Sequence, residues 1–438
     1  MAHPAKLQVE IWSPLPPQES GVADYVQEQL EVLEQAVVLT LVAEDPGEVD
    51  EELRARHRVI SPAESDPQNM RVYHVGNSPL HGFIYREAIR LPGVVFLHEW
   101  NLHELLLGFA VTSNNFDGYR SQMRREHGER GSIAAETVAS ALGGRHWTGA
   151  FPLNAEILER ALAVVCLSSA TTARVAARAP GMRVLHLPHH ALLKSQAANR
   201  SEARIRLGLS ASARVVLAPG LGTASKGLDV AHAAIETIRP RVEAVVLVTV
   251  GDGSGDETTG VLDGSIRSLG RVDLVTLGDA LLAADVVLAL RFPSRGEASG
   301  VLMRALAAGR ASIVSSGSTA DEDLPQGVVA RVNPGPAEIR ELAALLEFLL
   351  TDESARLRLE SLAREIALSW GVDPLTERLA GFLHDVASER AELLTKILLR
   401  DSQAKSVRGR VRDDLEAAAS SLGLARLPPN VFEKLAGL

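Results

Sequence analysis

Short runs of β-branched and apolar residues alternate with amphipathic stretches along nearly the whole chain, a pattern that predicts parallel sheets covered by helices. In the first half the expected strands lie near Leu7–Ile11, Ala36–Val42, Val72–Val75, Val94–Leu97, Leu162–Leu167 and Arg183–Leu187, as one doubly wound sheet. Between Asn101 and Glu159 the strand signal lapses, and helices with loops are expected as an insertion between consecutive strands. PHHALLKSQAANRS, from Pro188 to Ser201, is a polar connector without periodicity and marks a boundary. The pattern then restarts with RVVLAPG, KGLDVAHAAIETIR, AVVLVTVGDG, ADVVLALR and ASIVSS, predicting a second doubly wound sheet. In its first helix Leu228, Ala231, Ala234, Ile235 and Ile238 recur at steps of three and four, which assigns Lys226 to the opening turn beside a strand-end crevice. From Pro374 onward the pattern is wholly helical. The expected division is residues 1–195 with the helical insertion at about 101–159, then 196–373, then a helical extension over 374–438.

Composition narrows the classes of function. With 438 residues, 46% hydrophobic and 23% charged, the chain is long enough for two or three ordinary domains. A formal charge of −10 excludes the broad basic face that nucleic-acid binding needs, so any anion site must be a local cationic pocket. The lone Cys166 lies in the apolar run ALAVVCL, which rules out a disulfide framework and a cysteine zinc site and fits a reducing cytoplasm. MAHPAKLQVEIWSP lacks a signal-peptide pattern and no segment reaches the roughly 20 apolar residues of a membrane span, so neither is expected.

Candidate chemistry concentrates in ADVVLALRFPSRGEASGVLMRALAAG, from Ala284 to Gly309, which reads strand, tight loop, helix. The loop delivers Arg291, Arg295 and Glu297 just before a helix that begins with Ser299 and Gly300. Strand ends in open α/β sheets bind ligands, and the free N–H groups of a helix N-terminus attract phosphate. A carboxylate beside a phosphate is repulsive, so Glu297 suits a neutral, hydroxylated group such as a sugar, or else a helix-capping acid in its favoured place.

This segment resembles the donor site of the retaining GT-B glycosyltransferases of family 4, which have two Rossmann-like domains facing across a cleft. The resemblance covers about 370 residues. It implies that Glu297 meets the donor sugar and that Arg304 stands, one residue early, where the family carries a second, ribose-binding glutamate. PGLGTASKG resembles the family's strand and loop ending in Lys-Gly, which makes Lys226 a donor-phosphate ligand. Leu221 stands where many relatives carry an arginine, and Arg291 is assigned as the replacement cation, with Ser299 and Gly300 at the helix terminus. VTVGDG and SLGRVD resemble the two strand ends that flank the nucleotide, assigning Gly251, Gly270 and Val272 there. SPLPPQESGVADY resembles the family's glycine loop near the phosphates and acceptor, with Gly21 as its anion-facing residue or an ordinary helix-entry glycine.

YHVGNSPLH and GVVFLHEWNLH put His74, His81, His98 and His103 around two strand ends. They lack the HExxH spacing that sets two ligands on one helix face, and the family works without a bound metal, so no metal or cofactor is expected. The resemblance makes His98 an active-site residue contacting donor sugar or acceptor; its residues alone also fit a core histidine. Tyr119, His127 and Phe151 of the insertion are expected to be structural or acceptor-side, and HLPHH (His186–His190) receives no chemistry.

The implied partners are a nucleotide-sugar donor and a hydroxyl acceptor (glycan, glycolipid or small molecule), with no nucleic acid. Two other readings share the architecture: a degenerate module that binds a sugar or partner without turnover, and a nucleotide-sugar epimerase. KILLRDSQAKSVRGRVR, from Lys396 to Arg412, carries six basic residues against one acidic, which suits weak contact with an anionic membrane surface, a solvated face or a contact between copies in a homo-oligomer.

Overall fold

Two seven-stranded sheets organise the chain, each with a helix layer on both faces. The structure, a computed structural model, describes residues 6–140, 142, 145–220, 224–251, 261–262, 266–294 and 296–421. Two compact units contain them: one from the described parts of Met1–Cys166, Thr172–Leu185 and Leu379–Leu438, the other from Leu167–Thr171 and His186–Arg378. The long helix Val372–Ser421 begins in the second unit and continues in the first.

The first sheet consists of β1 (Gln8–Trp12), β2 (Val38–Val42), β3 (Arg58–Ile60), β4 (Met70–Val75), β5 (Val94–Leu97), β6 (Ala163–Cys166) and β7 (Arg183–His186), in the order β3-β2-β1-β4-β5-β6-β7. Every expected strand of this half is present, Val94–Leu97 with the expected ends and the others with shifted ones. Ala36 closes the helix Gly21–Ala36 instead of opening β2, because the Val37 amide still bonds back to Leu33. The three-residue β3 escapes sequence reading since RVI is too short to show alternation. The 101–159 stretch folds as His103–Thr112, Phe116–Ala139, Arg145–Ala150 and the greater part of Ala155–Arg160, with no strand among its described residues. Polar bonds hold it together: His103 joins the Phe151 carbonyl and the Tyr119 hydroxyl at 2.7 Å each, and the His127 ring lies 2.8 Å from the Pro152 carbonyl.

The second sheet consists of β8 (Arg214–Pro219), β9 (Val245–Val250), β10 (Val261–Leu262), β11 (Ile266–Ser268), β12 (Val286–Ala289), β13 (Ala311–Ser315) and β14 (Ala330–Val332), in the order β10-β11-β9-β8-β12-β13-β14. All its pairings are parallel except β10 with β11. Its strands read as continuous apolar runs because both faces are covered. Val216, Val286 and Leu288 join a core with Ile235 and Leu346, while the alternate residues Val215, Leu217 and Val287 join another with Leu281. In each sheet the winding reverses once, between β1 and β4 and between β8 and β12, and such reversals open a crevice at the carboxyl ends of the strands.

A buried ion cluster closes the back of the second unit. Glu360 takes Arg200 at 2.6 Å and Arg364 at 3.4 Å, with Arg310 and Arg356 each at 3.9 Å. Asp285 takes Arg204 at 2.8 Å and Arg200 at 3.5 Å. Burial, helped by the neighbouring Arg200, pulls the Arg310 guanidinium down to about 10, so this carboxylate holds a group that is uncomfortable as a cation. No described helix is long and apolar enough to cross a membrane. Removing a buried carboxylate strands its partners, so Glu360→Ala should lower unfolding stability by roughly 3–5 kcal/mol. Glu353→Ala, at a carboxylate 75% exposed, should leave it nearly unchanged. Urea midpoints at constant slope measure both, and an unshifted midpoint for Glu360→Ala would show the cluster to be dispensable.

Candidate active site

In the second unit the loops after β8 and β12 meet where the winding reverses, and the Phe292 amide donates to the Ser225 carbonyl at 2.8 Å to join them. Gly220 ends β8 at φ +133°, and a Cβ there would lie 2.6 Å from Lys226 Nζ. Only glycine lets the lysine lie across that backbone. Lys226 closes a short 3-10 turn, Ala224–Lys226, and the helix Leu228–Ile238 starts after Gly227 in the left-handed region. The expected place in the first helical turn is therefore corrected: the αL residue breaks the helix ahead of Leu228 and turns the lysine back over Gly220.

The loop after β12 is pinned from the neighbouring strand. The Arg291 amide donates to Ser315 Oγ at 3.0 Å, and the Ser294 and Thr319 hydroxyls lie 2.9 Å apart. Ser299 caps the helix Gly300–Ala307, accepting from the Leu302 amide at 3.3 Å. Arg291 Nε stands 3.5 Å from Glu297 Oε1, both side chains largely buried. Lys226 belongs to the same group: burial first, then the Arg291 charge, lower its ammonium to about 8, while Glu297 acts in the opposite direction. Lys226, Arg291 and Glu297 thus come together as two cations and one anion beside a capped helix N-terminus.

The other expected residues of this unit have contacts of their own. The Gly251 amide donates to the Gly270 carbonyl at 2.8 Å, joining the ends of β9 and β11, and both glycines have positive φ. Val272 packs into the core that holds Val215 and Leu281. Arg304 is buried, and its guanidinium donates to the Leu192 carbonyl of the connector at 3.3 Å. The ring of His189 covers Gly300, where a Cβ would lie 3.1 Å from its Nε2; the sequence offered no motif for this contact. Arg295, Leu221 and the residues directly after Gly251 lie outside the described residues.

In the first unit Gly21 opens the helix Gly21–Ala36 behind the cap Ser20, with open space where its Cβ would be. His98 follows β5, extends the ladder through its amide to the Val75 carbonyl at 2.9 Å, and sets Nε2 3.0 Å from His74 Nδ1. His81 Nδ1 reaches the His74 carbonyl at 2.9 Å. Burial lowers His74 to about 3 and His81 to about 4, leaving both neutral near pH 7. Among the described residues no group of three or more His, Cys, Asp or Glu side chains converges as metal ligands.

Residues 213–352 match the family described as Glycosyl transferases group 1. No curated protein matches the chain. Among solved structures, HepE of Anabaena in complex with UDP-glucose is similar at TM-score 0.54 and 17% identity, covering 86% of this chain and 100% of that one. Sucrose-phosphate synthase of Thermosynechococcus elongatus is similar at TM-score 0.58 and 15% identity, covering 87% and 100%. A glycosyltransferase of Rickettsia africae is similar at TM-score 0.55 and 11% identity, covering 87% and 98%. The chain has the GT-B fold.

An ammonium that loses its proton near pH 8 makes anion binding pH-dependent with a defined sign. Beyond the change that pyrophosphate's own ionisation causes, affinity for this anion should be constant below that pH and fall as pH rises through about 8, as the unliganded Lys226 becomes neutral. Lys226→Met should bind more weakly and lack the inflection. Calorimetric titration between pH 6.5 and 9.5 measures this, and an identical profile in the variant would remove Lys226 from the anion site.

Proposed function

We propose that this chain is a retaining glycosyltransferase that moves a sugar from a nucleoside-diphosphate donor to an acceptor hydroxyl. The observation that carries the reading is the group Lys226, Arg291 and Glu297 at the winding reversal of the second sheet, beside the N-terminus of Gly300–Ala307. Two cations and a helix terminus fit a diphosphate, and a carboxylate beside them fits sugar hydroxyls. HepE, with the same fold, has been solved with UDP, UDP-glucose, and UDP plus glucose, which supports the ligand class.

In this mechanism Lys226 and Arg291 offset the charge that builds on the departing diphosphate, the electrostatic part of catalysis. Glu297, steadied by Arg291, accepts hydrogen bonds from the sugar and stays off the anomeric carbon. The acceptor oxygen bonds to that carbon on the face from which the phosphate oxygen leaves. Its proton passes to the departing phosphate, and a nucleoside diphosphate is released. No protein nucleophile or metal is required, since Lys226 and Arg291 supply the positive charge. Gly251 and Gly270 bring strand-end backbone close to the nucleotide, Val272 supports that edge from the core, and Gly21 and His98 serve the sugar and acceptor side.

An acceptor on a lipid carrier would accord with the last helix, where Leu398 and Leu399 are exposed beside Lys396 and Arg400. Weak, salt-sensitive binding to anionic vesicles should follow, since attraction of this kind is screened within about 8 Å at physiological salt. Co-sedimentation at low and high salt tests it, and no binding at low salt would remove the membrane role.

Glu297→Gln should keep affinity for the nucleoside diphosphate within about a few-fold and reduce turnover by about 10² or more, because the lost charge acts on the sugar. Chromatography of products from UDP-, GDP-, ADP- and dTDP-sugars, run in excess EDTA, reads donor, turnover and metal independence together. Binding without turnover would leave a sugar-nucleotide-binding module, and an epimerised donor with no transfer would leave an epimerase.

A further inference from the structure

The two central strands of the first sheet bring a pair of histidine rings into direct contact. His74 is opposite Phe96 in the β4–β5 register, and His98 stands one residue beyond β5. Phe96 stacks on both rings, on His74 at 4.6 Å and 15° and on His98 at 5.0 Å and 23°. Tyr25 meets His98 edge-on at 5.3 Å. Both histidines are buried, and one hydrogen bond, His74 Nδ1 to His98 Nε2 at 3.0 Å, joins them. His81 secures the pair from behind by donating Nδ1–H to the His74 carbonyl, the only direction a carbonyl permits.

We propose that His74 is a positioning residue for His98: the Nε2–H of His98 donates to Nδ1 of His74, so the ring is held in one orientation and one tautomer. The proposal rests on the reading of His98 as a residue that serves the sugar. Of the two directions the bond could run, this one survives a change of protonation. If His74 donated, His98 would have to keep a lone pair on Nε2, and a proton taken up there would break the bond. With His74 as acceptor, His98 Nε2 carries its hydrogen whether the ring is neutral or charged. His74 can serve as a constant acceptor because burial keeps it neutral. For the neutral His98 ring this leaves the lone pair on Nδ1, with its plane set by Phe96 and Tyr25.

The tautomers of both rings can be read by long-range proton–nitrogen correlations in protein carrying nitrogen-labelled histidine, with no need for turnover. His98 and His74 should both carry their hydrogen on Nε2. His74→Phe keeps the bulk and the stacking on Phe96 but removes the acceptor. It should mix the tautomers of His98 and lower kcat about 10- to 100-fold, with the donor KM within about two-fold. His74→Asn, whose amide oxygen can stand near the Nδ1 position, should restore a single tautomer and most of the turnover. A hydrogen on Nδ1 of His98 in the wild type, or an unchanged single tautomer in His74→Phe, would overturn the proposal. Full turnover in His98→Ala would instead overturn the role given to His98, and with it the catalytic consequence of the pair, while the tautomers still judge the bond itself.

Discussion

The second unit is built around holding two cations close together in a partly dry crevice. Like charges placed side by side repel, and burial adds a desolvation cost, both of which the lowered Lys226 ammonium registers. Glu297 relieves part of that strain through Arg291, and an anion entering the crevice would relieve the rest. The surrounding architecture serves to keep the cations from moving apart. Gly220 leaves room for the lysine to lie on backbone, Ser225 ties its turn to the arginine loop, and Ser315 ties that loop to the next strand. A flexible loop would relax by swinging one charge into water, so these connections are what keep the two charges side by side.

The histidines of the first unit show the opposite use of burial. There His74 and His81 give up charge, and hydrogen bonding sets the orientation of the rings: His74 with His98, His81 with a strand carbonyl, His103 with Tyr119 and Phe151. Four histidines near two strand ends could suggest a metal from spacing alone. In the fold, two of them are taken up with strand and insertion backbone and the other two face one another.

Much of this was legible in the sequence, because each signal had a local physical cause. Alternation of apolar runs with helical periodicity follows from sheets covered on both faces, and the strand-loop-helix at Ala284–Gly309 shows charge gathered beside a helix start. What could not be read depends on contacts between distant segments. Nothing local indicates that Gly227 breaks the helix ahead of Leu228, that His189 covers Gly300, or that Arg304 turns to the connector at Leu192. Alternation also has no purchase on a strand as short as Arg58–Ile60. The His74–His98 bond lies between these extremes, since both residues are visible at strand ends and only the parallel register of β4 and β5 brings them together.

The Glu360 cluster separates two notions of a domain. The segment that matches the glycosyl transferase family, residues 213–352, carries Asp285 and Arg310 but omits Arg200 and Arg204 on its N-terminal side and Arg356, Glu360 and Arg364 on the other. A polypeptide cut to the match would keep a buried carboxylate without its two guanidiniums and a buried guanidinium without its carboxylate. The stretch that inheritance marks out is therefore smaller than the stretch its buried charges tie together, and the chain on either side of it acts as a clasp on the second sheet.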